Sequence, residues 1–258
     1  MTKQVKVGKV KIGGGAPVSV QSMTNVSVLD IDSTLKQIED LEKAGCDIAR
    51  IAVPNLNALE SFKKVRLQTD MPLVADVHFD ARIAVGAIEA GADKVRINPG
   101  NIPLSQLDSI IDCARCHRVP IRIGVNGGSV DGKILEECNG NKLQALKSNL
   151  AKYVRYFESK NFDDLVLSVK SSDVTEMVEA NRFLADLPYP VHLGVTEAGL
   201  SNQGIVKNSI GIGSLLLNGI GDTIRVSLTA NPVEEVYAGL EILKALNLRG
   251  GVKFVSCP

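Results

Sequence analysis

Residues 73–100 read LVADVHFDARIAVGAIEAGADKVRINPG: a β-branched run, an amphipathic stretch, then a second β-branched run closed by Pro99 and Gly100. This pattern predicts strands over 73–79 and 94–100 with a helix between them. It repeats outward in both directions. Further strand-like runs cover 18–23, 47–53, 120–126, 164–170, 191–196 and 223–228, which makes eight. The segment DSTLKQIEDLEKAG (32–45) shows how a connection is built. Leu35, Ile38, Leu41 and Glu42 recur at helical spacing, Asp32 or Ser33 is the expected N-cap, and Gly45 is the expected stop. Eight strand-then-helix units with short connections predict a closed α/β fold, a (β/α)8 TIM barrel, over the alternative of an open doubly wound sheet. VKVGKVKIGGG (5–15) reads as a short N-terminal hairpin covering the N-terminal mouth.

The chain of 258 residues is long enough for one large core. Its formal net charge of +0 gives no basic excess, so nucleic acid and acidic membrane surfaces are not expected partners. No apolar stretch reaches membrane-spanning length and no secretory leader precedes the barrel, so a cytoplasmic location is expected. Five Cys, an odd number without dense spacing, read as reduced thiols or metal ligands. Cys113 and Cys116 have C-x-x-C spacing but fall in a helical pattern, and Cys46 and Cys138 read as structural.

In such barrels the chemistry collects where the strands end. Arg50, Asp76, His78, Arg96, Asn98, Arg122, Asn126, Lys170, Thr196, Glu197, Arg225 and Ser227 all fall in or just after the predicted strands. One Arg or Lys in a barrel strand is more often half of an internal ion pair. Arg225 is the clearest such case, with Glu197 on the neighbouring strand as its expected partner. Four cations at matched positions, Arg50, Arg96, Arg122 and Lys170, instead imply a shared phosphate or diphosphate ligand. His117 and His192 read as structural.

GAPVSVQSMTN, LVADVHFD, VRINPGNI, IRIGVNGGS, SVKSSD, VTEAG and IGDTIRVSL occur in this order across the chain. Together they resemble the barrel domain of the bacterial 4-hydroxy-3-methylbut-2-enyl diphosphate synthase family (IspG/GcpE) of isoprenoid biosynthesis. The resemblance implies a two-electron reductive ring opening, with loss of water, of 2-C-methyl-D-erythritol 2,4-cyclodiphosphate. It implies a 4Fe-4S cluster, flavodoxin or ferredoxin as electron donor, and a homodimer of the full-length protein. By the same resemblance Arg50, His78, Arg96, Arg122, Lys170 and Ser227 hold the diphosphate, while Asn126, Thr196 and Glu197 face the carbon skeleton. Glu197 is the expected catalytic residue, because a hydroxyl leaving as water needs a positioned acid. The final Cys257–Pro258 matches the start of a CP-x-C segment that supplies the first cluster ligands in this family. The expected organisation is therefore a substrate-binding barrel over 1–252, with 253–258 beginning a C-terminal 4Fe-4S domain that this chain lacks. One thiolate does not hold a cluster, so the chain is expected to bind substrate without turnover. Two other readings stay open: a Schiff-base phosphosugar aldolase or isomerase using Lys170, and a non-catalytic diphosphate-binding module.

Overall fold

A computed structural model describes residues 1–126 and 132–252. The chain opens with the antiparallel hairpin β1 (Val5–Val7) and β2 (Val10–Ile12). Eight parallel strands follow: β3 (Ser19–Met23), β4 (Ile48–Ala52), β5 (Leu73–Asp76), β6 (Lys94–Ile97), β7 (Ile121–Asn126), β8 (Leu165–Lys170), β9 (His192–Leu193) and β10 (Thr223–Ile224). They alternate with α1 (Ile31–Lys43), α2 (Asn57–Arg66), α3 (Ala81–Glu89), α4 (Leu104–His117), a short extra α5 (Gly132–Glu137), α6 (Lys142–Ser159), α7 (Val174–Arg182), α8 (Ser201–Leu217) and α9 (Pro232–Ala245). Neighbouring strands pair in sequence order from β3 to β8, and β10 lies between β9 and β3. The ring closes through a parallel bridge between Leu167 and Val191. This is the predicted (β/α)8 barrel with its N-terminal hairpin.

Strand alternation sorts the side chains. Along β4, Ala49 and Ile51 join the apolar layer between strands and helices, whereas Ile48 and Arg50 point inward. The same division holds on β5 to β8. The inward residues form levels along the barrel axis. At the N-terminal end Ile48, Val74 and Val166 pack against Val5, Val7 and Ile12 of the hairpin, which plugs that mouth as expected. Toward the C-terminal end the inward positions turn polar.

Two sequence expectations change in detail, and a third holds. The N-cap of α1 is Asp30, whose carboxylate accepts from the Ser33 N–H at 3.1 Å, because the helix starts at Ile31, before the predicted Asp32 or Ser33. Gly45 does end the segment, adopting φ +90 just beyond the helix. The regular ladders of β9 and β10 are only two residues long, although the Arg225 N–H still donates to the Leu193 carbonyl at 3.0 Å, and Thr196 and Arg225 line the mouth beyond them.

Candidate functional site

A polar cavity of about 180 Å³ opens at the C-terminal ends of the strands. Arg50, Asp76, His78, Arg96, Arg122, Lys170, Thr196, Arg225 and Ser227 line it, with Gly124, Val125 and Ser168 filling the gaps. The barrel thus brings together seven of the residues expected on one ligand: Arg50, His78, Arg96, Arg122, Lys170, Thr196 and Ser227.

Asp76 is the carboxylate at the centre of this mouth. It is buried, lies 3.5 Å from Arg50 Nε, accepts from Arg96 Nη1 at 3.2 Å and sits 3.4 Å from His78 Nε2. Burial alone would push its carboxyl up. Arg50, the His78 hydrogen bond, Arg96 and Arg122 outweigh that and hold it well below the ordinary carboxylate range. Arg96 Nη1 also lies 2.7 Å from Nε2 and 3.2 Å from Nδ1 of the half-exposed His78 imidazole.

Arg225 is neutralised from outside the barrel. Its Nη2 and Nε donate to Glu235 on α9 at 2.9 and 3.1 Å, and the same carboxylate accepts from Ser22 Oγ at 2.8 Å and the Leu228 N–H at 3.1 Å. The expected pairing with Glu197 is therefore incorrect. Glu197 occupies a left-handed conformation, φ +51, directly after Thr196, and its side chain is exposed at the rim. Asn126 ends β7 in register with Lys170. Cys257 falls outside the described residues.

The remaining cations outnumber their partners. Arg122 is 1% exposed, and its Nε and Nη1 have no hydrogen-bond partner among the described residues. Burial first, then Arg50 and Arg96, makes its charge costly and drives its affinity for the proton well below the ordinary guanidinium range. Arg50 is pulled down to about 10, by burial against the opposing pull of Asp76. Lys170 falls well below the ordinary amine range through burial and then Arg122 and Arg225. Unpaired buried donors of this kind are costly for a fold and valuable for an anion.

Several participants were not singled out from sequence. Ser168 and Gly124 line the cavity, while Lys94 and His192 lie deeper in the barrel. Their signal is the period of two: Lys94 precedes Arg96 by two residues, Ser168 precedes Lys170, and Gly124 follows Arg122. The four described cysteines are free, with Cys113 and Cys116 both on α4, and burial pushes the Cys46 thiol up to about 12. Among the described residues no group of three His, Cys, Asp or Glu side chains is placed to hold a metal ion. No described helix is long and apolar enough to cross a membrane.

Comparison with known proteins agrees with this geometry. Residues 2–240 match the family model described as the GcpE TIM-barrel domain. A 4-hydroxy-3-methylbut-2-en-1-yl diphosphate synthase (flavodoxin) of Buchnera aphidicola is 50% identical over 260 residues, covering 100% of this chain and 71% of that protein. The protein of the same name from Thermotoga maritima is 49% identical over 259 residues, covering 100% of this chain and 74% of its own length. Among solved structures, dihydropteroate synthase from Stenotrophomonas maltophilia superposes with a TM-score of 0.68 at 14% identity, over 95% of this chain and 98% of that one, a likeness of fold alone. Family model, full-length relatives and barrel agree, and the chain belongs to the GcpE family.

Proposed function

We propose that this barrel is the substrate-binding part of a synthase that converts 2-C-methyl-D-erythritol 2,4-cyclodiphosphate to 4-hydroxy-3-methylbut-2-enyl diphosphate. The observation that carries the proposal is the cation excess at the mouth: Arg50, Arg96, Arg122 and Lys170 line one cavity, and among the described residues lining it Asp76 is the only carboxylate. Guanidinium forks match diphosphate oxygens in bidentate fashion, and Lys170 adds a point charge. Thr196 and Ser227 supply hydroxyls at the same opening. Asn126 and Glu197 complete the site toward the carbon skeleton, with Glu197 delivering the proton that lets a hydroxyl leave as water.

The overall change consumes two electrons and forms one water per turnover. The described residues do not fit a 4Fe-4S cluster by themselves. We assign residues 1–252 to substrate binding and 253–258 to the start of a cluster-binding part, with Cys257 as a ligand beside others outside this chain. Relatives whose names specify flavodoxin support a flavodoxin as the electron donor, with a ferredoxin, a different low-potential electron carrier, as the alternative. A homodimer working in the cytoplasm completes the reading.

One observation favours a second reading. Burial and neighbouring cations push the Lys170 amine toward its neutral form, which is what a Schiff-base nucleophile needs. Borohydride trapping separates the two. The synthase reading expects no covalent adduct on Lys170 with any phosphosugar and saturable binding of the cyclic diphosphate; a reduced adduct on Lys170, found by mass spectrometry, contradicts it.

A further inference from the structure

Beneath the cavity the barrel holds a second polar level that the ligand cannot touch. Lys94, two residues before Arg96 on β6, is 0% exposed and its Nζ has no hydrogen-bond partner. His192, on β9, is also 0% exposed, and neither ring nitrogen is paired. Gln21 Oε1 on β3 and Arg122 Nε on β7 are likewise unpaired. Barrel interiors are ordinarily filled by branched apolar side chains, and orphaned buried donors are costly, so these groups call for an explanation in terms of what reaches the mouth above them.

The strongest charges acting on them are cationic. Lys94 feels Arg122 and Arg50, and among the described residues no carboxylate offsets them. The strongest charges on His192 are Arg122, Lys170, Lys94 and Arg50. Carboxylates do exist nearby, but Asp76 is engaged by Arg50, His78 and Arg96, and Glu235 by Arg225 and Ser22. Burial and this cationic field both favour the neutral amine and the neutral imidazole. An arriving anion reverses the second influence, since it compensates the guanidinium groups that repel a proton from the floor.

We infer that Lys94 and His192, fully buried and unpartnered below Arg50, Arg96, Arg122 and Lys170, form a second level of the anion site that takes up protons from solvent as an anion settles among those four. The coupling rests on the proposed diphosphate site. The added charge strengthens the hold on the anion and makes affinity rise as pH falls. By linkage, protons and the anion assist each other equally. No bond to the ligand is involved: water-borne protons move to Lys94 Nζ and to a His192 ring nitrogen.

The test is a calorimetric titration of the chain with 2-C-methyl-D-erythritol 2,4-cyclodiphosphate at neutral pH, in two buffers of different ionisation enthalpy. The ligand's phosphoryl groups each carry one strongly acidic oxygen and exchange no proton there. The expected result is a buffer-dependent heat reporting net proton uptake, reduced in the Lys94→Met/His192→Gln double variant. Imidazole NMR of the unmodified chain, which has only three His, gives a readout that does not depend on the variant folding. His192 should be neutral without ligand at neutral pH. Binding with no buffer-dependent heat, an uptake unchanged in a folded double variant, or an imidazolium at His192 in the free barrel would each overturn the coupling while leaving the diphosphate site standing. Absence of binding by equilibrium dialysis would instead remove the site itself, and the coupling with it.

Discussion

Arg96 and Arg122 stand directly opposite each other on adjacent parallel strands, and Asp76 occupies the next place in the same row, opposite Arg96. Like charges in register oppose strand pairing, and one carboxylate compensates only part of the row. The arrangement is intelligible as a site held in wait for an anion. Replacing Arg122 by Ala, or Arg96 by Ala, should weaken binding of the cyclic diphosphate by roughly 1.5 to 3 kcal/mol, about one to two orders of magnitude in Kd. Arg122→Met should lose that affinity yet raise the melting temperature of the free barrel, because an unpaired buried cation is replaced by an apolar chain of similar length. A lower melting temperature in a folded Arg122→Met protein would show that Arg122 serves the fold.

Gly124 keeps space for this row. A methyl group built there would lie 2.7 Å from Arg96 Nε and 3.2 Å from its Nη2. The obstructed atoms belong to the far end of a flexible side chain, so Gly124→Ala should fold normally while displacing the guanidinium from Asp76 and His78. Binding should fall as far as in Arg96→Ala, and the two changes together should cost little more than either alone. Full additivity of the two losses would contradict this positioning role.

Glu235 carries a structural duty that no ligand relieves. It is buried and joins α9 to Arg225, to Ser22 on β3 and to the Leu228 backbone. Glu235→Gln leaves Arg225 without its counter-charge and should reduce stability by roughly 3 to 5 kcal/mol in denaturant titrations. A loss below about 1 kcal/mol would mean that Arg225 finds compensation elsewhere.

The buried imidazole predicts a pH dependence of stability. His192 has a folded-state pKa well below its ordinary value of 6.5, set by burial first and then by Arg122 and Lys170. Below 6.5 the unfolded chain therefore binds a proton that the folded chain refuses. Stability should rise with pH up to about 6.5, by at most about 1.4 kcal/mol per pH unit from this residue, and its contribution should level off above. His192→Gln should flatten that slope. Asp76 acts in a different window: its carboxyl is depressed, so its contribution is present above 3.8 and lost as pH falls below that value. An unchanged slope between pH 5 and 6.5 in the folded variant would contradict the assignment to His192.

The barrel and most of its mouth were legible because one periodicity carries both. Alternation along VRINPG and IRIGVN fixes which side chains enter the barrel, and a parallel register then aligns Arg96 with Arg122. Contacts that leave the sheet were not legible in the same way. Arg225 finds Glu235 on a following helix, where strand alternation gives no guide, and Glu197 looked like the better partner until its left-handed backbone turned it outward. Asp30 was missed as a cap because the helix begins one residue before Asp32. His192 was read as structural and Lys94 was passed over, because a lack of partners depends on what the opposite strands place nearby.

The most direct test of the central claim is calorimetric titration of the chain with 2-C-methyl-D-erythritol 2,4-cyclodiphosphate across a salt series, with circular dichroism confirming the folded barrel. Saturable one-to-one binding at low ionic strength, weakening as salt screens the approach of the ligand and salt anions compete for the mouth, is the predicted result. A folded barrel that binds no cyclic diphosphate at low salt, or binds it with no salt dependence, would contradict the account.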